Sequence, residues 1–393
     1  MRIVMFTDAY PPYINGVATS CYNLVQVLKQ NGHDVLVIAP QADDGPTKRD
    51  GNIIYMKGIA LKKMYGYRLT ALYSSKIFKI IKSFKPEVFH IQTDFTIGQF
   101  ARRVSKKMKY IPTVYTYHTA YEDYTYYAVK SGLLDRVAKK FVRSYAKNAA
   151  KTMTEYITPS EKTKAYMRSV GSDAYINVIP TGLDFSIFKK ENVDYNRIEE
   201  FKKTHGVDKD TKVFLILGRV AQEKSMDVSI NGFHAYRQAY PNQKVKMFVV
   251  GDGPQKNDLE KLAEDLGEKD NIEFLGSVPA SEVPFYYHLA DIYTSASVTE
   301  TQGLTFMESM ASGTPVLARF DTQLENVIID NETGFFFTDI DSFVVKANRI
   351  LSLSKEELEQ VKNKSYVEVD AYSIDKFYEN IIRVYQRAIR KKW

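Results

Sequence analysis

The sequence predicts an α/β protein built from two doubly wound, Rossmann-like domains. Its 393 residues are enough for about two or three domains that each bury a core. Short β-rich runs alternate with helical patterns from end to end, which indicates an α/β architecture. The strand segments are continuous apolar runs, as is typical of parallel sheets that are covered on both faces.

The first domain is expected over residues 1–185. It opens with the apolar run Arg2–Phe6, which is too short for a secretory signal and is interpreted as a strand. The further predicted strands are Asp34–Ala39, Val88–Ile91, Thr113–Tyr117, Glu155–Thr158 and Asn177–Ile179, and helices are predicted near residues 17–31, 70–84, 96–109 and 131–151. A terminal helix over residues 372–393 is expected to pack back on this domain.

The second domain is expected over residues 186–371, after a polar and charged segment. Its predicted strands are Lys212–Leu217, Lys246–Val250, Ile272–Leu275, Ile292–Ser295, Pro315–Ala318 and Gly334–Phe337. Ligands of doubly wound sheets bind beyond the carboxyl ends of the strands. Two such domains facing each other would form one interdomain cleft, so functional motifs should directly follow strands.

The composition excludes several classes of protein and of site. Cys21 is the single cysteine, so the chain can form no internal disulfide, Cys-based zinc cluster or iron–sulfur site, and a reducing, cytoplasmic compartment fits best. Nowhere do about 18 consecutive residues stay apolar, so no transmembrane helix is expected and any contact with lipid should be peripheral. The hydrophobic fraction of 44% excludes a disordered chain.

Charge is distributed unevenly along the chain. Residues 1–185 carry 27 Lys and Arg against 14 Asp and Glu, a net charge of +13, whereas the remainder carries 27 against 33, a net charge of −6. This asymmetry predicts an anionic partner for the first half, either a lipid surface or nucleic acid. The sequence contains no signature of a nucleic-acid-binding module, and no nucleic-acid partner is expected.

A basic amphipathic helix is predicted over residues 131–151. Its cations fall on one side of a helical projection, opposite an apolar side. The membrane-facing candidates are Arg136, Lys139, Lys140, Arg143 and Lys147. The helix either has a solvated cationic face or rests that face on anionic lipid, at about 1 kcal/mol per cation. The segment Lys57–Arg68, which mixes basic, aromatic and aliphatic residues, is a second candidate for the lipid interface.

Two candidate positions follow strands in the first half. Gly16 lies in the loop that opens the first helix, where it either forms a turn or lets the backbone approach an anionic ligand. His118 follows the strand predicted to end at Tyr117, where it is either a structural histidine or a residue facing the cleft. No nucleophile elbow accompanies it, so triad chemistry is not supported.

Charged motifs follow two strands in the second half. Arg219 and Lys224 come directly after a strand and either are solvated or converge on a diphosphate, whose charge they would neutralise. Glu300 and Glu308 form an E-x7-E pair, with the first carboxylate before a helix and the second on it. The residues at the start of that helix are Gln302, Gly303 and Leu304, whose amides could receive a phosphate.

These motifs together resemble the retaining glycosyltransferases of the GT-B fold that use nucleotide sugars. The motifs are Asn15-Gly16-Val17, His118, Gly218-Arg219-x4-Lys224, Gly251-Asp-Gly-Pro254, Phe274-Leu-Gly276, and the E-x7-E pair followed by Ser312-Gly-Thr-Pro-Val. They span nearly the whole chain in the order expected for that family. The resemblance implies two domains facing a cleft, the first for the acceptor and the membrane and the second for the nucleotide sugar.

Longer strings resemble a subgroup, the bacterial diacylglycerol α-glucosyltransferases. They are Tyr115-Thr-Tyr-His-Thr-Ala-Tyr-Glu-Asp-Tyr, Thr299-Glu-Thr-Gln-Gly-Leu-Thr-Phe and Ala318-Arg-Phe-Asp321. Many GT-B members have Glu-Gly-Phe-Gly where this chain has Glu-Thr-Gln-Gly, a departure that points toward the lipid subgroup.

The resemblance implies a role for each matching residue of the donor site. Arg219 and Lys224 would bind the diphosphate, with Gly16 approaching it from the first domain. Glu308 would bind the ribose hydroxyls, and the backbone of Val278 would meet the base. Because such enzymes need no metal, no metal site and no cofactor are expected; Asp339-Ile-Asp341 resembles a metal motif but is interpreted as a helix cap.

The resemblance also implies the reaction. Glu300 would hold hydroxyls of the donor sugar, and His118 would lie by the sugar near the reacting carbon. The acceptor would attack the same face through an oxocarbenium-like state, with the leaving phosphate taking its proton. We therefore expect a peripheral enzyme on the inner face of the cell membrane that moves a hexose, glucose from UDP-glucose, onto the free hydroxyl of diacylglycerol. Another glycolipid, a polysaccharide or a small polyol remains an alternative acceptor.

Overall fold

The computed structural model describes residues 1–13, 15–61, 67–118, 153–300 and 302–392. The chain divides into two compact units. The first contains Met1–Leu183 together with Ile374–Trp393, and the second contains Asp184–Ser373. The predicted basic helix over residues 131–151, with all five of its membrane-facing candidates, lies outside the described residues.

The described part of the first unit contains an eight-stranded sheet in the order β10-β9-β8-β7-β1-β2-β4-β3, and a separate hairpin, β5-β6. Its strands are β1 Arg2–Phe6, β2 Asp34–Pro40, β3 Lys48–Asp50, β4 Ile53–Met56, β5 Gly58–Ala60, β6 Arg68–Thr70, β7 Val88–Ile91, β8 Thr113–Thr116, β9 Glu155–Thr158 and β10 Ile176–Val178. All neighbouring pairs in the large sheet are parallel except β3 and β4.

Helices cover both faces of this sheet. They are α1 Gly16–Gln30, α2 Ser75–Phe84, α3 Thr96–Lys107, α4 Glu161–Ser169 and α12 Ile374–Lys392. Along β1, Val4 and Phe6 belong to one buried cluster, while Ile3 and Met5 belong to the cluster on the opposite face. The continuous apolar run of this strand is therefore explained by burial on both sides.

The terminal helix α12 completes the core of the first unit, as Phe377, Ile381 and Tyr385 pack into the same cluster as β1. At its end, Arg387 and Lys391 reach the buried Glu155 of β9, each with an N–O distance of 2.8 Å. Burial alone would raise the pKa of Glu155, but hydrogen bonds from these cations outweigh it and lower the pKa to about 2.

The second unit contains a six-stranded parallel sheet in the order β13-β12-β11-β14-β15-β16. Its strands are β11 Lys212–Leu217, β12 Val245–Val250, β13 Ile272–Gly276, β14 Ile292–Ser295, β15 Val316–Arg319 and β16 Phe335–Phe337. Its helices are α5 Tyr195–Thr204, α6 Met226–Ala239, α7 Lys256–Asp265, α8 Val283–Leu289, α9 Leu304–Ala311, α10 Ile340–Leu351 and α11 Lys355–Asp370.

Each large sheet reverses its strand order at one place, between β1 and β7 in the first unit and between β11 and β14 in the second. Such a switch point leaves a crevice at the carboxyl ends of the two strands, where ligands of doubly wound sheets bind.

The structure corrects the predicted start of one helix. The helix predicted near residues 70–84 begins only at Ser75, because the Ser74 hydroxyl caps it by accepting from the Ile77 amide. The segment just before it, Arg68–Thr70, is a strand that pairs with Gly58–Ala60.

In the described part of the chain, no helix combines the length and apolar character needed to cross a bilayer.

Candidate active site

The carboxyl ends of three neighbouring strands in the second unit are joined by backbone contacts. The Gly218 amide, after β11, donates to Val250, and the Gly251 amide, after β12, donates to Gly276, at 2.9 and 2.8 Å. A Cβ atom on Gly251 would lie only 1.8 Å from the Gly218 carbonyl oxygen. Gly218 and Gly251 thus allow the turns after β11 and β12 to pack backbone against backbone.

The structure brings Lys224 and Glu300 together, although they are far apart in sequence. The Lys224 ammonium and a Glu300 carboxylate oxygen are 2.5 Å apart, and both side chains are partly buried. Lys224 ends the turn after β11, and Ser225, with a left-handed φ of 47°, directs the chain into α6. Glu300 lies in the loop after β14, so the pair occupies the switch point of the sheet.

A small cavity opens at this switch point, lined by Lys224, Glu300, Ser295, Tyr293 and Thr305 among others. Arg219, on the same turn as Lys224, forms an ion pair with Glu223. The two cations predicted to bind diphosphate are therefore both paired with carboxylates.

Glu308 lies on α9, where Tyr287 of α8 contacts its carboxylate. The Tyr287 hydroxyl is 3.0 Å from both Glu308 Oε2 and the backbone oxygen of Thr305. Burial raises the pKa of Glu308 to about 7, although the hydrogen bond from Tyr287 acts to lower it. A carboxylate in this environment gains from hydroxyl donors, because these stabilise its charged form.

Gly303 sets the direction of α9. It is the N-cap residue, with a left-handed φ of 73°, and a Cβ atom there would lie 2.8 Å from the Phe306 ring. Gln302 and Leu304 flank it at the start of the helix. Val278 is half-buried in the loop after β13. The second unit therefore holds all the donor-binding candidates except Gly16.

In the first unit, His118 follows β8 and is 8% exposed. Its Nε2 lies 2.7 Å from the side-chain oxygen of Gln92, which follows β7. Burial lowers the pKa of His118 to about 4, so the imidazole is neutral near pH 7. A small cavity contains both residues and Ser20 of α1.

Gly16 is the first residue of α1, one helical turn before Ser20 and therefore on the same face. Asn15 caps this helix by accepting from the Ala18 amide at 2.9 Å. The sequence thus places Gly16 at a helix start as predicted, on the face of α1 that leads to the cavity of His118.

Sequence analysis did not identify four side chains that surround the candidate residues. Tyr287 contacts Glu308 and packs on Tyr293, while Gln92 contacts His118 and His90 contacts Gln92. Tyr293 donates to the Thr305 hydroxyl at 2.8 Å and packs against Tyr287 with the rings edge to face. Their only sequence signal is position, since Tyr293 lies within a strand and Gln92 directly after one.

Over the described residues, no group of three or more His, Cys, Asp or Glu could hold a metal ion.

Comparisons with known proteins identify the family of the chain. The family model described as "Glycosyl transferases group 1" matches residues 197–367, and "Glycosyltransferase Family 4" matches residues 14–186. The alpha-monoglucosyldiacylglycerol synthase of Acholeplasma laidlawii is 32% identical over 100% of both chains. The synthase of the same name from Streptococcus pneumoniae is 34% identical, over 86% of this chain and 75% of the relative.

Solved structures confirm the predicted fold. Anabaena HepE, in complex with UDP and glucose, superposes with a TM-score of 0.73 at 16% identity, covering 98% of this chain and 99% of that one. The sucrose-phosphate synthase of Thermosynechococcus elongatus superposes with a TM-score of 0.74 at 19% identity, over 99% of both chains. The chain therefore belongs to the GT-B glycosyltransferases, in the group that contains the bacterial alpha-monoglucosyldiacylglycerol synthases.

Proposed function

We propose that this glycosyltransferase moves glucose from UDP-glucose onto the free hydroxyl of diacylglycerol, with retention of the α configuration, at a membrane surface. The observation that carries the donor side is the Lys224–Glu300 pair at the switch point of the second unit. The acceptor is supported by the two synthases that are 32% and 34% identical to the chain.

The contact between Lys224 and Glu300 suits the two adjoining parts of a nucleotide sugar. Lys224, with Arg219, would bind the diphosphate, and Glu300 would accept hydrogen bonds from hydroxyls of the sugar attached to it. Glu308 would accept from the ribose hydroxyls, and the start of α9 at Gly303 would add backbone amides. The site thus has a partner of suitable charge for the diphosphate, the sugar and the ribose of the donor.

The chemical step requires stabilisation of a leaving diphosphate. Fixed cations aimed at a developing negative charge lower the barrier, and Lys224 and Arg219 would do so without a metal ion. The acceptor oxygen would form its bond to the anomeric carbon on the face from which the phosphate leaves. Its proton would pass to the departing phosphate oxygen.

His118 would lie beside the sugar in this proposal. Because burial keeps the imidazole neutral near pH 7, it would not oppose the positive charge that develops on the ring carbon. Gly16, at the start of α1, would approach the diphosphate with its backbone.

Glu308 gives the donor site an expected pH dependence. A carboxylate binds two hydroxyls better than its protonated form does, so affinity for UDP-glucose should fall as Glu308 takes up a proton below its pKa of about 7. We expect a loss of about tenfold between about pH 8 and about pH 6, and weak but pH-independent affinity in Glu308→Gln. Calorimetric titration with UDP-glucose measures both. An equal pH dependence in the two proteins would contradict the assignment.

The proposed reaction is tested by release of UDP from UDP-glucose in the presence of EDTA, with and without vesicles of diacylglycerol and an anionic phospholipid. Release that requires diacylglycerol and rises with the anionic lipid is the expected result. Release that is independent of lipid, or that requires a soluble sugar or polyol, would replace the acceptor. No release with UDP-glucose would overturn the donor, and loss of release in EDTA would overturn metal independence.

The basic segment over residues 131–151 is the proposed site of docking on the inner face of the cell membrane. Replacing Lys139, Lys140 and Arg143 by Ser removes three cations, each expected to contribute about 1 kcal/mol on anionic lipid. Sedimentation with anionic vesicles should show weaker binding, with unchanged affinity for UDP-glucose.

The matched control for this variant replaces the exposed Lys203, Lys209 and Lys355 of the second unit by Ser, which removes the same charge. It should sediment with vesicles like the unmodified protein. Equal vesicle binding by both variants would disprove the docking face.

A further inference from the structure

A line of buried polar side chains lies behind His118 in the first unit. His90 lies on β7, and Gln92 lies two residues later, just after that strand. Thr116 is the last residue of β8, and His118 lies two residues after it. Because side chains two residues apart in a strand point to the same face, these four share one face of the sheet. All four are buried, and all four line the same cavity.

Gln92 determines which ring nitrogen of His118 carries the proton. The side-chain oxygen of Gln92 is an acceptor only, and it lies 2.7 Å from His118 Nε2. A neutral imidazole has one N–H group, so His118 donates through Nε2 and its Nδ1 keeps a lone pair. Nδ1 is then a hydrogen-bond acceptor and suits a hydroxyl donor such as that of a sugar.

His90 in turn fixes the orientation of the Gln92 amide. The amide nitrogen of Gln92 lies 3.2 and 3.3 Å from the two ring nitrogens of His90. Because it is almost equidistant from both, it lies over the face of the ring, where an N–H group is favoured and a carbonyl oxygen is not. With the nitrogen held there, the oxygen end is directed to His118. Rotating the amide by 180° would place its oxygen over the His90 ring and turn a donor toward His118 Nε2, which would require the opposite tautomer of His118.

His90 is itself held at both ring nitrogens. Its Nδ1 is 2.6 Å from the hydroxyl of Tyr385 on α12, and its Nε2 is 2.8 Å from the hydroxyl of Thr116. Burial, with a smaller contribution from His118, lowers the pKa of His90 to about 3, so this ring is also neutral. The line therefore runs from the terminal helix through His90 and Gln92 to His118.

We propose that Gln92 is a positioning residue that holds His118 as the Nε2–H tautomer, so that Nδ1 accepts a hydrogen bond from a hydroxyl of the sugar substrate. His90 and Tyr385 act through Gln92 by fixing its amide. The assignment rests on the proposed function, because that function places His118 beside the sugar. Gln92 touches His118 and is not itself assigned any contact with substrate.

The first test is the tautomer itself, which needs no substrate. In protein labelled with ¹⁵N histidine, the nitrogen shifts distinguish protonated from unprotonated ring nitrogens, and His118→Asn identifies the signals. We expect a single Nε2–H form in the unmodified protein and a mixture of tautomers in Gln92→Leu, which keeps the bulk but removes the acceptor. An unprotonated Nε2 in the unmodified protein, or an unchanged Nε2–H form in Gln92→Leu, would overturn the proposal.

The second test is kinetic. Gln92→Leu should lower kcat by about 10- to 100-fold, the range known for losing the hydrogen-bond partner that orients a metal-binding histidine. The KM for UDP-glucose should change less than about twofold, because Gln92 is assigned no donor contact. A kcat equal to that of the unmodified protein, or a loss that only follows the folded fraction measured by circular dichroism, would contradict the positioning role.

Tyr385→Phe tests the far end of the line, with Tyr156→Phe as its matched control. Tyr156 is also fully buried in this unit, but its hydroxyl contacts the Met167 sulfur and not the histidines. Tyr385→Phe should broaden the His118 tautomer signals, and Tyr156→Phe should leave them unchanged. Equal effects would show a purely structural role. If the unmodified protein releases no UDP, the proposed function fails alone, and the tautomer measurement still decides this inference.

Discussion

Replacing Lys224 by alanine should lower turnover by roughly 10³-fold, the effect of removing one fixed charge-stabilising donor from a site where negative charge develops. The Lys224 ammonium lies 2.5 Å from Glu300, and the side chain is 26% exposed. It can therefore meet both a diphosphate and Glu300, the carboxylate proposed to bind the sugar. The loss should appear mainly in kcat, since charge on the diphosphate grows as the glycosidic bond breaks.

A matched control separates this effect from a general loss of charge. Lys202 is 30% exposed and forms an ion pair with Glu199 on α5, away from the carboxyl ends of the strands. Lys202→Ala should keep the turnover of the unmodified protein. Both variants should also melt at similar temperatures, because partly exposed ion pairs contribute about 1 kcal/mol or less. Turnover of Lys224→Ala close to that of the unmodified protein would remove Lys224 from the active site.

Replacing Gly251 by alanine should destabilise the second unit by about 3 kcal/mol, the upper range for forcing extra atoms into a packed site. The new Cβ atom would lie 1.8 Å from the Gly218 carbonyl oxygen, which belongs to the backbone and cannot rotate away. The φ of Gly251, 142°, also disfavours any other residue. The turn that carries Arg219 must therefore move, so turnover should fall as well.

Gly267→Ala is the matched control for this substitution. Gly267 also has a positive φ, 73°, but no atom lies within 4 Å of the position that a Cβ atom would take there. The control should lose only the strain of a left-handed residue, about 1 to 2 kcal/mol, and keep full turnover. Urea unfolding and UDP release measure the two effects. Equal stability and turnover in the two variants would contradict the backbone-packing explanation.

The class of fold could be predicted from local pattern because both sheets are covered on both faces. The apolar runs at β1, β11 and β12 reflect this burial directly. The short strands Lys48–Asp50, Gly58–Ala60 and Arg68–Thr70 were missed, since three residues are too few to show an apolar run. The strand Ile53–Met56 was missed as well, although it is apolar and half-buried. The membership suggested by the E-x7-E pair and its neighbouring motifs is confirmed by the relatives.

Contacts within the site could be predicted only in part. Position after a strand indicated Lys224 and Glu300 separately, but their contact depends on β11 lying beside β14, which the strand order decides. The Tyr287–Glu308 contact joins two helices, and the His90–Tyr385 contact joins residues 295 positions apart in the chain. No periodicity in a sequence encodes such pairs, because they arise when separate elements pack.

The return of α12 to the first unit has a consequence for biosynthesis. Phe377, Ile381, Val384, Tyr385 and Ala388 fill a core whose other buried members come from residues 3–179. On the ribosome, the second unit has its whole sequence available before α12 is made, whereas the first must wait for residues 374–392. We therefore expect the later half of the polypeptide to reach its native state first, and nascent chains lacking α12 to expose an apolar groove that chaperones would shield.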